Sequence, residues 1–118
     1  MNDDVYLDNL TPEDFTKNFH HAEYQYEILV DSIKKFQDTL DEDSEVILMH
    51  TSFGKEVKMY VHNLGYSNPC LIHFYGWING KESEIIQHIS QLNFLITSGP
   101  KMEKDKPPRR IGFSISND

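Results

Sequence analysis

Apolar residues fall at Phe15, Phe19, Ala22, Tyr26, Leu29, Ile33, Phe36 and Leu40, alternately four and three positions apart, while Lys17, Asn18, His21, Gln25, Asp31, Lys34 and Lys35 fill the other positions. That spacing is an unbroken heptad stripe and predicts an amphipathic helix over residues 11–40. "LTPEDF" supplies its start: Thr11 as N-cap, Pro12 at the first helical position, Glu13 and Asp14 at the positive end of the dipole. Thirty helical residues span roughly 45 Å, more than a core this small covers, which implies that part of the stripe packs on another chain. The competing reading lays one helix across the sheet, with a frayed end.

After the acidic connector "DEDSE" (41–45) the period changes to two. "VILMHTS" and "EVKMYVH" flank Gly54 as a hairpin, and Val57, Met59 and Val61 alternate with Lys58, Tyr60 and His62. "NLGYSNP" (63–69), with Gly65 and Pro69, reads as a loop, and "CLIHFYGWI" as a third strand closed by the hairpin signal Asn79-Gly80. Residues 81–98 read as two strands with a bend near His88–Gln91. "GPKMEKDKPP" then makes a mobile loop over 99–110, and "IGFSI" closes the chain as a strand over 111–115. The outline is one α+β domain over 1–118: a long N-terminal helix, then an antiparallel sheet of five or six strands over 45–98.

A length of 118 residues fits one core. The net charge of −8 argues against DNA, RNA or an anionic membrane as partner. Cys70 is the single cysteine, so no internal disulfide forms. The N-terminus "MNDDVYLDNL" lacks the pattern of a signal peptide, and no apolar run reaches membrane-spanning length. Together these predict a cytosolic protein.

The six histidines are not spaced as metal ligands: His20 and His21 are adjacent, and no HExxH or CxxC occurs. No metal or cofactor is expected. Nucleophile-elbow, P-loop and GxGxxG patterns are absent, and Cys70 before an apolar strand reads as a small core hydrophobe, although His73, His88 and Glu82 are capable of acid–base work. A non-enzyme is the expectation.

Two stretches remain. In the third strand Ile72, Phe74 and Gly76 share one face, leaving Leu71, His73, Tyr75 and Trp77 on the other. Polar-tipped aromatics of this kind suit a pocket, a subunit contact or a seat for the helix. The chain uses lysine nine times but arginine only at Arg109 and Arg110, in "PPRRIGF". A guanidinium grips phosphate and stacks on flat rings, although two adjacent residues of an extended segment point apart. Aromatic faces, the amides and imidazole of Gln87, His88, Gln91 and Asn93, and an arginine pair specify a ligand with a flat base and phosphates. That is a nucleotide, held rather than cut. A solvated basic patch is the alternative for the arginines.

"IHFYGWINGKESEIIQHISQLNFLI" followed by "PPRRIGF" resembles the bacteriophage Thoeris anti-defence protein one family, over roughly residues 25 to 115. The resemblance implies a sponge that sequesters glycocyclic ADP-ribose, the signal made by TIR-domain enzymes, without degrading it in the host cytoplasm. It implies a Greek-key-like antiparallel sheet with an N-terminal helix, assembled as dimers or hexamers. The ligand would sit between subunits under a C-terminal loop, and cyclic oligonucleotides are held at further sites in some members. Carried over, Phe74, Tyr75 or Trp77 stacks the adenine; His88, Gln91 and Asn93 read base or ribose; Arg109 and Arg110 grip the diphosphate. A rival reading is an oligomeric protein-interaction module with no nucleotide ligand.

Overall fold

The computed structural model describes residues 20–52 and 54–112. Among these residues one helix, α1 (His21–Gln37), precedes five strands: β1 (Ser44–Ser52), β2 (Lys55–Ser67), β3 (Leu71–Ile78), β4 (Lys81–His88) and β5 (Phe94–Pro100). The fold is α+β. Residues 11–19, with Thr11, Phe15 and Phe19, and residues 113–115 of the expected closing strand lie outside the described residues.

Helix α1 has 17 residues, about 26 Å, and ends at Gln37 rather than at residue 40. Ala22 and Ile33 are wholly buried, and Tyr26, Leu29, Phe36 and Leu40 pack against the same core, so the described part of the stripe is covered by the protein's own sheet. The turn after β2 caps the helix start: Ala22 N–H donates to the Pro69 carbonyl at 2.7 Å and Glu23 N–H to Asn68 Oδ1 at 3.1 Å.

All strands pair antiparallel, in the order β4-β3-β2-β1-β5. The first four form a meander, and the fifth returns to lie beside the first, as in a Greek key. Asn79 and Gly80 both take positive φ (53° and 78°), as a two-residue primed turn requires. The bend between β4 and β5 is a 3-10 turn over Ile89–Gln91, with His88 accepting from Ser90 N–H.

The expected loop over 63–69 is instead mostly strand. β2 runs on to Ser67 through a bulge between Val61 and Asn63, and Gly65 pairs with His73. The bulge inserts one residue, so the core positions step from Val61 to Leu64 and the alternation slips by one. Gly99 and Pro100, expected in the loop, close β5.

One face of the sheet is the core: Val46, Leu48, Met59, Val61, Leu64, Ile72 and Phe74 lie under α1. His50 is wholly buried there, edge-on to Phe74 with ring centroids 4.7 Å apart and tilted against Phe94 at 5.4 Å. Burial holds its imidazole below the ordinary value, and the nearby Gln87 side chain partly opposes this.

Gly76 marks the tightest strand contact: a Cβ there would fall on the Tyr60 carbonyl oxygen and within 2.8 Å of Met59 Cγ. Gly76→Ala is expected to destabilise by about 3 kcal/mol, the upper end for overpacking, as measured by urea unfolding. His50 predicts the shape of the acid limb. Its folded pKa is depressed, so the unfolded chain binds the proton more tightly, and stability falls as pH drops below the unfolded imidazole value of about 6.5. Between pH 7.5 and 5.5 the wild-type urea midpoint should fall further than that of His50→Leu; parallel declines would remove His50 from the acid response.

Candidate functional site

The other face of the sheet carries a connected series of rings. His73 lies parallel to Tyr75 (10°, centroids 6.1 Å apart), Tyr75 neighbours His62 at 6.4 Å, and His62 neighbours Trp77 at 4.8 Å. The Arg109 guanidinium covers Trp77, 4.3 Å from the ring centroid. The aromatic strand and the arginine segment, thirty residues apart in sequence, therefore meet. Alternation puts Tyr75 and Trp77 outward; the bulge in β2 brings His62 between them.

Arg109 is held in place by its backbone as well as its ring contact. Glu45 is 4% exposed, and its two carboxylate oxygens accept from the backbone N–H groups of Met102 (3.1 Å) and Arg109 (2.6 Å). The guanidinium also pairs with Glu103 at 2.5 Å. Arg109, and then Lys106, hold the Glu103 carboxyl below its ordinary range. Arg110 turns the other way and donates to the carbonyls of Ser44 (2.7 Å) and Asp41 (2.8 Å). Ile111 follows into the core, exchanging two hydrogen bonds with the buried side chain of Gln37. The segment expected as a mobile loop is thus tied to the body of the protein at Lys101, Met102 and 109–111, leaving 103–108 as the span between the ties.

Carboxylates rim the ring series. A depression of about 340 Å³ beside it is lined by His62, Tyr75, Glu82, Ser83 and Glu84. His73 Nδ1 lies 2.7 Å from Glu84, and His62 Nε2 lies 4.0 Å from Glu82. Tyr75 keeps its phenolic proton above the usual range, through burial first and the Glu84 charge second. The surface offers flat faces and acceptors; the cation stacked on Trp77, Arg109, is already paired with Glu103.

Of the residues singled out from sequence, Tyr75, Trp77 and Arg109 come together. Phe74 is wholly buried on the core face, edge-on to His50 and Phe94, and does not reach the ring series. His88, Gln91 and Asn93 sit at the opposite end of β3 and β4: Trp77 pairs with Glu82, whereas His88 pairs with Leu71, six residues or roughly 20 Å away. His62, Glu45 and Glu103 complete the site and had escaped the sequence reading. The alternation of β2 placed His62 on the outward face, and that was the one signal available.

The family model that matches residues 13–114 is described as a family of unknown function, DUF6173. The chain belongs to this family. No curated protein and no solved structure matches it. No described helix is long and apolar enough to cross a membrane.

Because Trp77 is the only tryptophan, its fluorescence reads the site directly. Arg109→Ala is expected to increase acrylamide quenching of Trp77 with little change in melting temperature, since an exposed cation–π contact contributes about 0.5–1 kcal/mol. Glu45→Ala should raise quenching too, and destabilise by about 2–3 kcal/mol as two amide donors lose their acceptor. Unchanged quenching in both variants would mean that the stack does not persist in solution.

Proposed function

We propose that the chain is a binding protein that captures a flat-ringed, nucleotide-type signal on the outer face of its sheet and holds it intact. The observation that carries this reading is the Arg109 guanidinium over Trp77, which joins a stacking plane to a fork of donors. A base sliding onto Trp77 would exchange with Arg109, which would then be free to turn from Glu103 to the ligand's phosphates.

The resemblance to the Thoeris anti-defence family narrows the ligand to glycocyclic ADP-ribose or a related cyclic ADP-ribose isomer, with cyclic oligonucleotides as a further class. It sets the action in the host cytoplasm. Within one chain His88, Gln91 and Asn93 are too far from Trp77 to touch the same ligand, so the reading requires that a neighbouring copy supply them. That agrees with a homo-oligomer holding the ligand between subunits. Arg110 has a structural role instead, clamping the connection between α1 and β1.

A second reading, an oligomeric protein-interaction module, is favoured by one observation. Glu82 and Glu84 rim the rings and both arginines already have partners, an arrangement that suits a basic protein surface as well as an anion.

A thermal-shift series against glycocyclic ADP-ribose, cyclic ADP-ribose, ADP-ribose and cyclic di- and trinucleotides separates the two. Ligand at a hundred times Kd adds about 2.7 kcal/mol, a shift on the order of 10 °C. The shift should vanish in Trp77→Ala and Arg109→Ala, and the ligand released on denaturation should be unaltered. Absence of any shift across the series would sink the capture reading in favour of the interaction module.

A further inference from the structure

At the end of the ring series away from Arg109, three side chains on three neighbouring strands form one hydrogen-bonded row. The Ser67 hydroxyl lies 2.8 Å from His73 Nε2, and His73 Nδ1 lies 2.7 Å from a Glu84 carboxylate oxygen. An ionised carboxylate only accepts, so Glu84 selects the tautomer with its proton on Nδ1. The Nε2 lone pair is then left facing the serine O–H. This is the polarity in which a serine loses its proton to an imidazole oriented by an acid, with each ring nitrogen in the matching role.

Register builds the row. Gly65 pairs with His73 and Tyr75 with Glu84, so each contact is a diagonal between positions two apart on the same face. The His73 side chain is 15% exposed, whereas Ser67 is open to solvent, which shelters the base and leaves the hydroxyl accessible.

We propose that Ser67 is an activated nucleophile, with His73 as its general base and Glu84 as a positioning residue, acting on esters of uncharged or cationic flat-ringed alcohols. The preference for a flat group follows from Tyr75, stacked parallel to His73 and leading on to His62 and Trp77. The preference against anions follows from Glu82 and Glu84 beside that path. The protonated Tyr75 phenol packs on Gly65, two residues before Ser67, and is a donor available on this face to an acyl oxygen.

In the step itself the Ser67 Oγ–C bond forms as the hydroxyl proton passes to His73 Nε2. The ester C–O bond then breaks, and the alcohol departs with that proton. Water repeats the sequence, restoring the serine and releasing the carboxylic acid. None of this rests on nucleotide capture at Trp77. The two tests fail independently, because one reads through Trp77 and Arg109 and the other through Ser67.

The experiment is labelling of the intact chain with a fluorophosphonate probe, with the adduct located by peptide mass spectrometry. The Oγ–P bond forms as P–F breaks, and fluoride leaves with the proton. One adduct is expected, on Ser67, and it should be missing in Ser67→Ala. His73→Gln should slow labelling about 100-fold, the lower end of general-base assistance, and Glu84→Gln by a smaller factor. Hydrolysis of a neutral aryl acetate should exceed that of Ser67→Ala. Thermal melts of each variant show that slow labelling belongs to a folded protein. Labelling of Ser67 at the same rate in wild type and His73→Gln, or no adduct at Ser67 at all, would overturn the proposal and leave the row as a cross-strand contact.

Discussion

A single buried carboxylate organises the C-terminal part of the described chain. Glu45, the second residue of β1, is 4% exposed and accepts from the amides of Met102 and Arg109. A carboxylate withdrawn from water is costly unless donors replace it, and here two backbone N–H groups do so. Those amides are seven residues apart, so one side chain closes the intervening loop and fixes where it re-enters. Once the Arg109 amide is fixed, its side chain falls over Trp77. The next residue must face away, which sends Arg110 to the Ser44 and Asp41 carbonyls, and Ile111 then reaches Gln37 in the core. The contacts along 109–111 thus follow one another from that one anchor: Trp77, then the Ser44 and Asp41 carbonyls, then Gln37.

The second constraint is the bulge in β2. Without it, strict alternation from Val61 would carry Leu64 to the outer face and leave the core short of an aliphatic side chain. With it, Leu64 is 3% exposed in the core, and Gly65 comes to the outer face, where the Tyr75 ring lies 3.3 Å from the position of a Cβ. The same slip aligns Ser67 with His73 on a diagonal. One inserted residue thereby serves both faces, completing the hydrophobic layer and giving the polar face its row of partners.

What the sequence revealed and what it hid divide along the same line. Local signals were legible: the stripe through Ala22, Tyr26, Leu29, Ile33 and Phe36, the turns at Gly54 and Asn79-Gly80, the bend after His88, and the two faces of β3. Each depends on residues within a turn or two of one another. The continuation of β2 was hidden because a phase slip and a glycine together imitate the end of a strand. Glu45 sat in an acidic run that reads as solvated, and only a contact 57 residues away, to Met102, makes it a buried anchor. The separation of His88, Gln91 and Asn93 from Trp77 is a matter of strand length, and composition carries no distances. That the aromatic strand and the arginine segment belong to one site is an expectation from chemistry; the direct stack of Arg109 on Trp77, and its pairing with Glu103, are visible only in the structure.

Charge decides how the outer face can be used. Near Trp77 Glu103 is shared by Arg109 and Lys106, and Glu82 and Glu84 line the adjoining depression, in a chain whose net charge is −8. A diphosphate arriving here must displace Glu103 from Arg109, and the displaced carboxylate and the two on β4 then repel it. The pair is exposed enough that water screens both the loss and the gain, which keeps the exchange within reach of ordinary binding energies. An uncharged ring has to move the guanidinium off the indole plane but meets no repulsion from these carboxylates. For the nucleotide-type ligand proposed above, the stacking end would therefore engage first, and the phosphates would determine whether Arg109 changes partners. By that logic an anionic ligand depends on both contacts, the indole plane for its ring and Arg109 for its phosphates, and Arg109 sets the selectivity between anionic and neutral ligands.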